Sequence, residues 1–318
     1  MKRQYGLDQI QRDTSSVITV GTFDGVHAGH RAIVRYLVKR ANDRDGTSVV
    51  LSFNPHPREV VHGEKVPLLT TIDERAEIME GLGIDRFIVI PFTEQFSKLP
   101  AEEFVSDILV RRIGVHEIVI GYDHAFGRDR RGNAELLREL GRIHGFTVDI
   151  IPAQVVEEHV VSSTEIREAL TERGDVRLAS ELLGQYYTVS GKVMKGNGRG
   201  RQIGFPTANV AVDHPQKIVP AVGVYAVRVH VLETGSRPGE ARAYDGMMNI
   251  GRRPTFGPGD VVIEVHLLDF EGDVYGKDLR IEFVERMRDE RTFQSVDGLI
   301  EQLSEDRARC MQLLGTVG

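Results

Sequence analysis

The chain of 318 residues is long enough for two domains at about 150 residues each, and 41% hydrophobic against 27% charged residues is an ordinary globular mix. Forty basic against 47 acidic residues leave a net charge of −7, with no lysine/arginine block long enough to follow a nucleic acid or an anionic bilayer, so neither is expected as a partner. The single cysteine, Cys310, allows no internal disulfide and no thiolate metal site. No apolar run reaches the roughly 18 residues of a membrane span, and the N-terminal MKRQYGLDQIQRD has no signal-peptide core, so the cytoplasm is the expected compartment. Association of copies is left open.

In chain order, short β-rich runs come first, at Val17 to Val20, Val49 to Phe53, Phe87 to Ile90, Glu117 to Ile120 and Phe146 to Ile151. Helical patterns at 30–43, 72–82, 101–113 and 134–144 alternate with them, which predicts βαβ units on a parallel, doubly wound α/β sheet, Rossmann-like. Thr71 with Glu74, and Ser162 with Glu165, have capping-box spacing. After Leu183-Gly184 the pattern changes to alternating segments broken by Gly and Pro, at Tyr187 to Val193, Gly223 to Leu232, Ala243 to Ile250, Val261 to Phe270 and Leu279 to Phe283. With one helix at 295–314, this predicts a small antiparallel β-barrel and a terminal helix. The expected domains are 1–184 and 185–318.

The first run ends in Gly21-Thr22-Phe23-Asp24-Gly25-Val26-His27-Ala28-Gly29-His30, directly before a helix. Glycines let backbone approach a ligand, the helix start offers free amides to phosphate, and two imidazoles can donate to charge developing on a phosphoryl group. The second run ends in Asn54-Pro55-His56-Pro57 and the fourth in Gly121-Tyr122-Asp123-His124-Ala125-Phe126-Gly127, both at the carboxyl edge where open α/β sheets bind ligands. Arg128, Arg130 and Arg131 read equally as a solvated face or as phosphate contacts. Ser162-Ser163-Thr164-Glu165-Ile166-Arg167 is an N-cap by itself, and beside a His-x-Gly-His turn a second clamp on a triphosphate.

In the second half, Gly191 to Asn209 carries Gly196, Gly198 and Gly200 with Arg201, a loop suited to bringing amides to phosphate, yet without the ending of a Walker A loop. Thr207 and Asn209 then place a hydroxyl and an amide oxygen on one face of an extended segment, hard ligands of the kind Mg²⁺ takes with nucleotide phosphates and water; the alternative is a Pro-fixed turn into a strand. Glu264 and His266 share one face of a strand, and a carboxylate there can take a proton from a hydroxyl nucleophile.

Together these strings resemble the nucleotidyltransferase superfamily marked by His-x-Gly-His and Ser-Ser/Thr-x-x-Arg, and within it the FAD synthetase module of prokaryotic bifunctional riboflavin kinase/FAD synthetases. The resemblance implies that His27 and His30 contact ATP phosphates framed by Gly21, Phe23 and Gly29, and that Ser163, Thr164 and Arg167 hold the triphosphate. Asn54, Asp123 and Phe126 would lie toward the flavin. The family usually has Phe where this chain has His124. Downstream, Gly-Arg-x-x-Gly-Phe-Pro-Thr-Ala-Asn, Met248-Asn-Ile-Gly-x-Arg-Pro-Thr-Phe256, Glu264-x-His-Leu-Leu-Asp-Phe270 and Tyr275-Gly276 resemble the riboflavin kinase fold, a six-stranded barrel. By that likeness Gly196, Gly198, Gly200 and Arg201 bind ATP, Thr207 and Asn209 bind Mg²⁺, Glu264 is the base, and Asn249 and Arg288 face the flavin. The implied activity is phosphorylation of riboflavin to FMN with ATP, then adenylylation of FMN to FAD and pyrophosphate. The rivals are a nucleotidyltransferase for another small phosphate and a flavin- or nucleotide-binding regulator without catalysis.

Overall fold

The computed structural model describes all residues except 9, 123, 154, 157–158, 197–198, 233–241, 253–260 and 316–318. Two compact units follow one another, Met1–Ser163 and Thr164–Gly318. In the first, the elements are β1 (Lys2–Tyr5), β2 (Ser16–Val20), α1 (Ala28–Asn42), β3 (Ser48–Asn54), α2 (Pro57–His62), α3 (Ile72–Gly81) and β4 (Arg86–Pro91). Then come α4 (Glu94–Ser97), α5 (Ala101–Glu103) running into a π-helix at Phe104–Ile113, β5 (Val115–Gly121), α6 (Ala134–His144), β6 (Thr147–Ile151) and the hairpin of β7 (Val155–Val156) and β8 (His159–Val160).

The sheet is six-stranded and parallel in the order β1-β4-β3-β2-β5-β6. Alternation along its strands divides the buried residues between two cores, as a doubly wound sheet requires. Val17, Val50, Phe87 and Val119 pack with Val34 and Leu37 of α1 and Ala76 and Met79 of α3. Ile18, Leu51, Ile88 and Ile120 pack on the other side with Phe104, Ile108, Leu137 and Leu140. From β2 the chain moves outward through β3 and β4, then returns to β5 on the other side. The carboxyl end of β2 is therefore the topological switch point.

The second unit begins with α7 (Ser163–Glu168), whose first residue is the last of the first unit, and continues through a π-helical turn at Ala169–Arg173 into α8 (Val176–Leu183). Six strands follow, β9 (Tyr187–Met194), β10 (Ala208–Val212), β11 (Gly223–Leu232), β12 (Ala243–Arg252), β13 (Val261–Leu267) and β14 (Asp278–Arg288), with the short α9 (Arg199–Gln202) between β9 and β10 and α10 (Val296–Gly315) last. They close a barrel in the order β10-β13-β12-β11-β14-β9, all pairs antiparallel. Tyr225, Met248, Ile263, Val265, Ile281 and Phe283 are buried on one face, while Val224, Ala226, Met247 and Met287 on the other pack against Cys310 and Leu314 of α10.

The β14 carboxyl end is tied to α10 by a buried pair. Arg288 gives Nε and Nη2 hydrogen bonds to Asp306, the latter at 2.6 Å, and Nη1 to the Asp289 carbonyl. Removing one partner of such a pair leaves an uncompensated buried charge, about 3–5 kcal/mol. Asp306→Ala is therefore expected to lower the melting temperature of the barrel unit by several degrees, measured by calorimetry.

Candidate functional site

The segment after β2 is shaped by backbone that ordinary residues avoid. Phe23 (φ 51°) and Val26 (φ 43°) lie in the left-handed region beside Gly25 (φ 86°), a cost of about 1–3 kcal/mol at each non-glycine position. A buried polar cluster holds this turn. The Asp24 carboxylate, 1% exposed, accepts from Leu69 N (3.1 Å), Thr70 N (2.9 Å) and Thr70 Oγ1 (3.1 Å) and pairs with Arg75 Nη2 at 3.4 Å. Gly25 N donates to Thr70 Oγ1 at 2.8 Å. Arg75, 3% exposed, also donates to the Thr70 carbonyl (3.0 Å) and Ser52 Oγ (3.2 Å), and Ser52 Oγ donates to the Thr22 carbonyl (3.0 Å).

On this turn His27 caps α1, its Nδ1 accepting from His30 N at 3.3 Å. A neutral His27 thus carries its proton on Nε2. The two imidazoles stack 3.6 Å apart at 18°, and Phe23 meets His30 edge-on at 5.0 Å. A side chain at position 29 would place Cβ 3.2 Å from the His27 ring, so Gly29 gives that ring room over the helix start. Gly21 similarly lies under the Phe23 ring. His30 Nδ1 is shielded from solvent without a hydrogen-bond partner. Burial, then the positive charge of a protonated His27 and of Arg75, pushes His30 well below the usual imidazole range. His30 is therefore neutral at pH 7, and a neutral imidazole still offers one N–H to a phosphoryl oxygen.

Ser163 joins this turn, its Oγ donating to the Asp24 carbonyl at 3.0 Å. Gly21, Phe23, His27, Gly29, His30 and Ser163 are thus gathered at the switch point, with exposed Asn54 ending the neighbouring β3. Asp123 lies outside the described residues. Phe126 is 9% exposed in an aromatic chain with Phe104 at 5.8 Å, which leads through Phe96 to Phe92 and Phe53, and His124 stacks on it at 5.7 Å. Thr164 and Arg167 fall on α7 in the second unit.

In the barrel, register builds the second site. Asn209 of β10 pairs with Glu264 of β13, and Glu264 pairs in turn with Asn249 of β12. Directly paired residues share a face, so the carboxylate stands between two carboxamides on the α10 side of the barrel wall, where Asn249 lies two residues from Met247. Thr207 precedes Asn209 by two, directly before β10 begins. The ladder of β10 on β13 ends at Ala208, and beyond it His266 Nδ1 meets the Pro206 carbonyl at 2.7 Å. A carbonyl only accepts, so this nitrogen holds the proton. An added Cβ at Gly196 would fall on the Asn209 carboxamide, and one at Gly200 on the Phe205 carbonyl, 3.4 Å from Thr207 Oγ1; both need glycine for close approach. Arg201 is exposed on α9, Gly198 lies outside the described residues, and the Arg288 guanidinium is engaged by Asp306 as above.

The sequence reading missed Thr70 and Arg75 altogether and gave Asp24 and Ser52 no role. It noted the face of His266 but not its bond to Pro206. Among the described residues no group of three or more His, Cys, Asp or Glu could hold a metal, and no helix is long and apolar enough to cross a membrane.

A model of the FAD synthetase family matches residues 9–165 and one of the riboflavin kinase family residues 183–314. A bifunctional riboflavin kinase/FMN adenylyltransferase of Pseudomonas fluorescens is 38% identical over 298 residues, 93% of this chain and 92% of that protein. One of Escherichia coli K12 is 37% identical over 302 residues, 94% of this chain and 93% of that protein. A solved chain from Streptococcus pneumoniae, described as a macrolide-efflux protein, superposes with a TM-score of 0.86 at 31% identity, covering 97% of this chain and 98% of its own. With both half-chain models matched in order and the curated relatives aligned nearly end to end, the chain belongs to the bifunctional riboflavin kinase/FMN adenylyltransferase family.

Proposed function

We propose that the chain makes FAD from riboflavin in two steps at two separate sites, residues 185–318 carrying the kinase and 1–184 the adenylyltransferase. The observation that carries this reading is the register row Asn209–Glu264–Asn249 in one unit together with the His27–His30 turn at the switch point of the other.

In the barrel, Glu264 takes the proton of the riboflavin 5′-hydroxyl as its oxygen attacks the γ-phosphorus of ATP; the bond to the β-phosphate oxygen breaks and ADP leaves. Thr207 and Asn209 supply neutral oxygens beside that carboxylate, a donor set that fits Mg²⁺ held mainly by nucleotide phosphates and water. When bound, Mg²⁺ would neutralise phosphate charge. Gly196, Gly198, Gly200 and Arg201 are assigned to ATP, and Asn249 and Arg288 to the flavin side.

In the first unit, a phosphate oxygen of FMN attacks the α-phosphorus of a second ATP, and the bond to the bridging oxygen breaks to release pyrophosphate. The acceptor is already ionised, so the protein orients reactants and stabilises charge rather than lending a nucleophile. His27 and His30 donate to the phosphates, Gly21, Phe23 and Gly29 frame them, and Ser163, Thr164 and Arg167 belong to phosphate binding. Asn54, Asp123 and Phe126 are assigned to the flavin. The buried, unpaired Cys310 fits the cytoplasm.

Incubation with riboflavin, ATP and Mg²⁺, followed by chromatography of the flavins, is expected to yield FMN and then FAD. FMN alone would leave the first unit without chemistry, and bound flavin without turnover would support a regulator.

A further inference from the structure

The Asp24–Arg75 cluster lies beneath the phosphate-binding turn, and the chemistry above makes no use of it. Its members come from four places: Asp24 and Gly25 from the turn, Ser52 from β3, Thr70 from the segment before α3, and Arg75 from α3 itself. Several of its bonds run to the turn. The Arg75 fork reaches Asp24, the Thr70 carbonyl and Ser52 Oγ, and through Ser52 the Thr22 carbonyl. Thr70 Oγ1 holds Gly25 N, between the two non-glycine residues of positive φ. The Asp24 carbonyl, fixed from below, is the acceptor for Ser163 Oγ. One buried residue thus joins the turn bearing His27 and His30 to the start of α7. The α3 capping box, with Thr71 N donating to Glu74 Oε2 at 2.8 Å and Glu74 N to Thr71 Oγ1 at 3.2 Å, fixes the platform from which Arg75 reaches inward.

Building on the adenylyltransferase reading of this unit, we infer that Arg75 is a positioning residue for adenylyl transfer: through Asp24, Thr70 and Ser52 it holds the turn so that both imidazoles meet the ATP phosphates. A carboxylate pairing with a planar fork has a geometry that an ammonium cannot copy, so charge alone does not suffice. The same cluster orients Ser163, because its hydroxyl donates to the Asp24 carbonyl.

The test uses the full chain, with riboflavin phosphorylation as the internal control of folding. Arg75→Lys is expected to lower kcat for FMN adenylylation at least tenfold while KM for FMN and the kinase rate stay within twofold, since the residues assigned to the flavin and to the kinase are not members of the cluster. Thr70→Val should do the same and Thr70→Ser should restore most of the rate, because only the hydroxyl links Gly25 N to Asp24. Wild-type kcat in both Arg75→Lys and Thr70→Val would overturn the inference. So would equal rates for Thr70→Val and Thr70→Ser, or a parallel fall of both activities with melting temperature across the set, which marks support of the fold alone. Failure of the wild type to adenylylate FMN would sink the underlying reading, a result separate from these.

Discussion

Glu264→Ala is expected to abolish detectable FMN formation from riboflavin, while FMN supplied directly is still converted to FAD. A positioned general base contributes about 10²–10⁴-fold. Glu264 lies within a regular strand, paired on both sides and backed by buried Ile263 and Val265. Such a backbone tolerates the loss of one outward side chain, so a fall in kinase rate will not reflect unfolding. Glu264→Gln separates base from spacer: the carboxamide keeps the shape between Asn209 and Asn249 but takes no proton, and its kinase rate should fall with that of Glu264→Ala. A Gln variant near wild-type rate would show that this position orients the substrate and that the base lies elsewhere. The second activity is read by supplying FMN and following FAD, which both variants are expected to make at the wild-type rate.

The doubly wound sheet was legible because parallel strands covered on both faces leave near-continuous apolar runs, and all five expected runs lie in or overlap β2 to β6. β1 was not, since Lys-Arg-Gln-Tyr at a sheet edge buries only Gln4. α8 also went unread, although Asp175 caps it by accepting from Leu178 N at 2.9 Å and Gly184 closes it at φ 69°. In the barrel, β10 is five residues emerging from a glycine- and proline-rich loop, too short to announce an alternation. β14 extends beyond the expected Phe283 to Arg288 because two register shifts against β11 let it continue. β13 instead ends at Leu267, before the expected Phe270, where Asp269 takes φ 51°.

At the sites, the residues assigned to substrate were visible because their chemistry is concentrated in short strings. Their supports were not. Arg75 reads as a solvated residue on an amphipathic helix, and its partner Asp24 is 51 positions away. The pairing of Asn209, Glu264 and Asn249 depends on register across three separate strands, β10, β12 and β13, which no local spacing encodes. Arg288 shows the converse: its place in a string suggests the flavin side, while the fold commits most of its donors to Asp306 and Asp289.

Replacing His27 or His30 by alanine is expected to cut FMN adenylylation about 10²–10³-fold each, the usual cost of removing one donor to developing charge, and to leave riboflavin phosphorylation intact. His27 has two jobs that His27→Asn distinguishes, because asparagine is a good helix cap but offers no imidazole. That variant should hold the stability of α1, read by thermal melting, yet share the catalytic loss of His27→Ala. His30 adds a pH signature. Its folded imidazole takes up a proton only well below the ordinary value of 6.5, so below that pH the unfolded chain binds a proton that the folded chain refuses. The wild type should therefore hold this part of its stability above pH 6.5 and lose it as the pH falls, and His30→Ala should flatten that limb of the denaturation profile. Equal slopes in wild type and His30→Ala would contradict a neutral His30, and loss of both activities in a folded His27→Ala protein would contradict two independent sites.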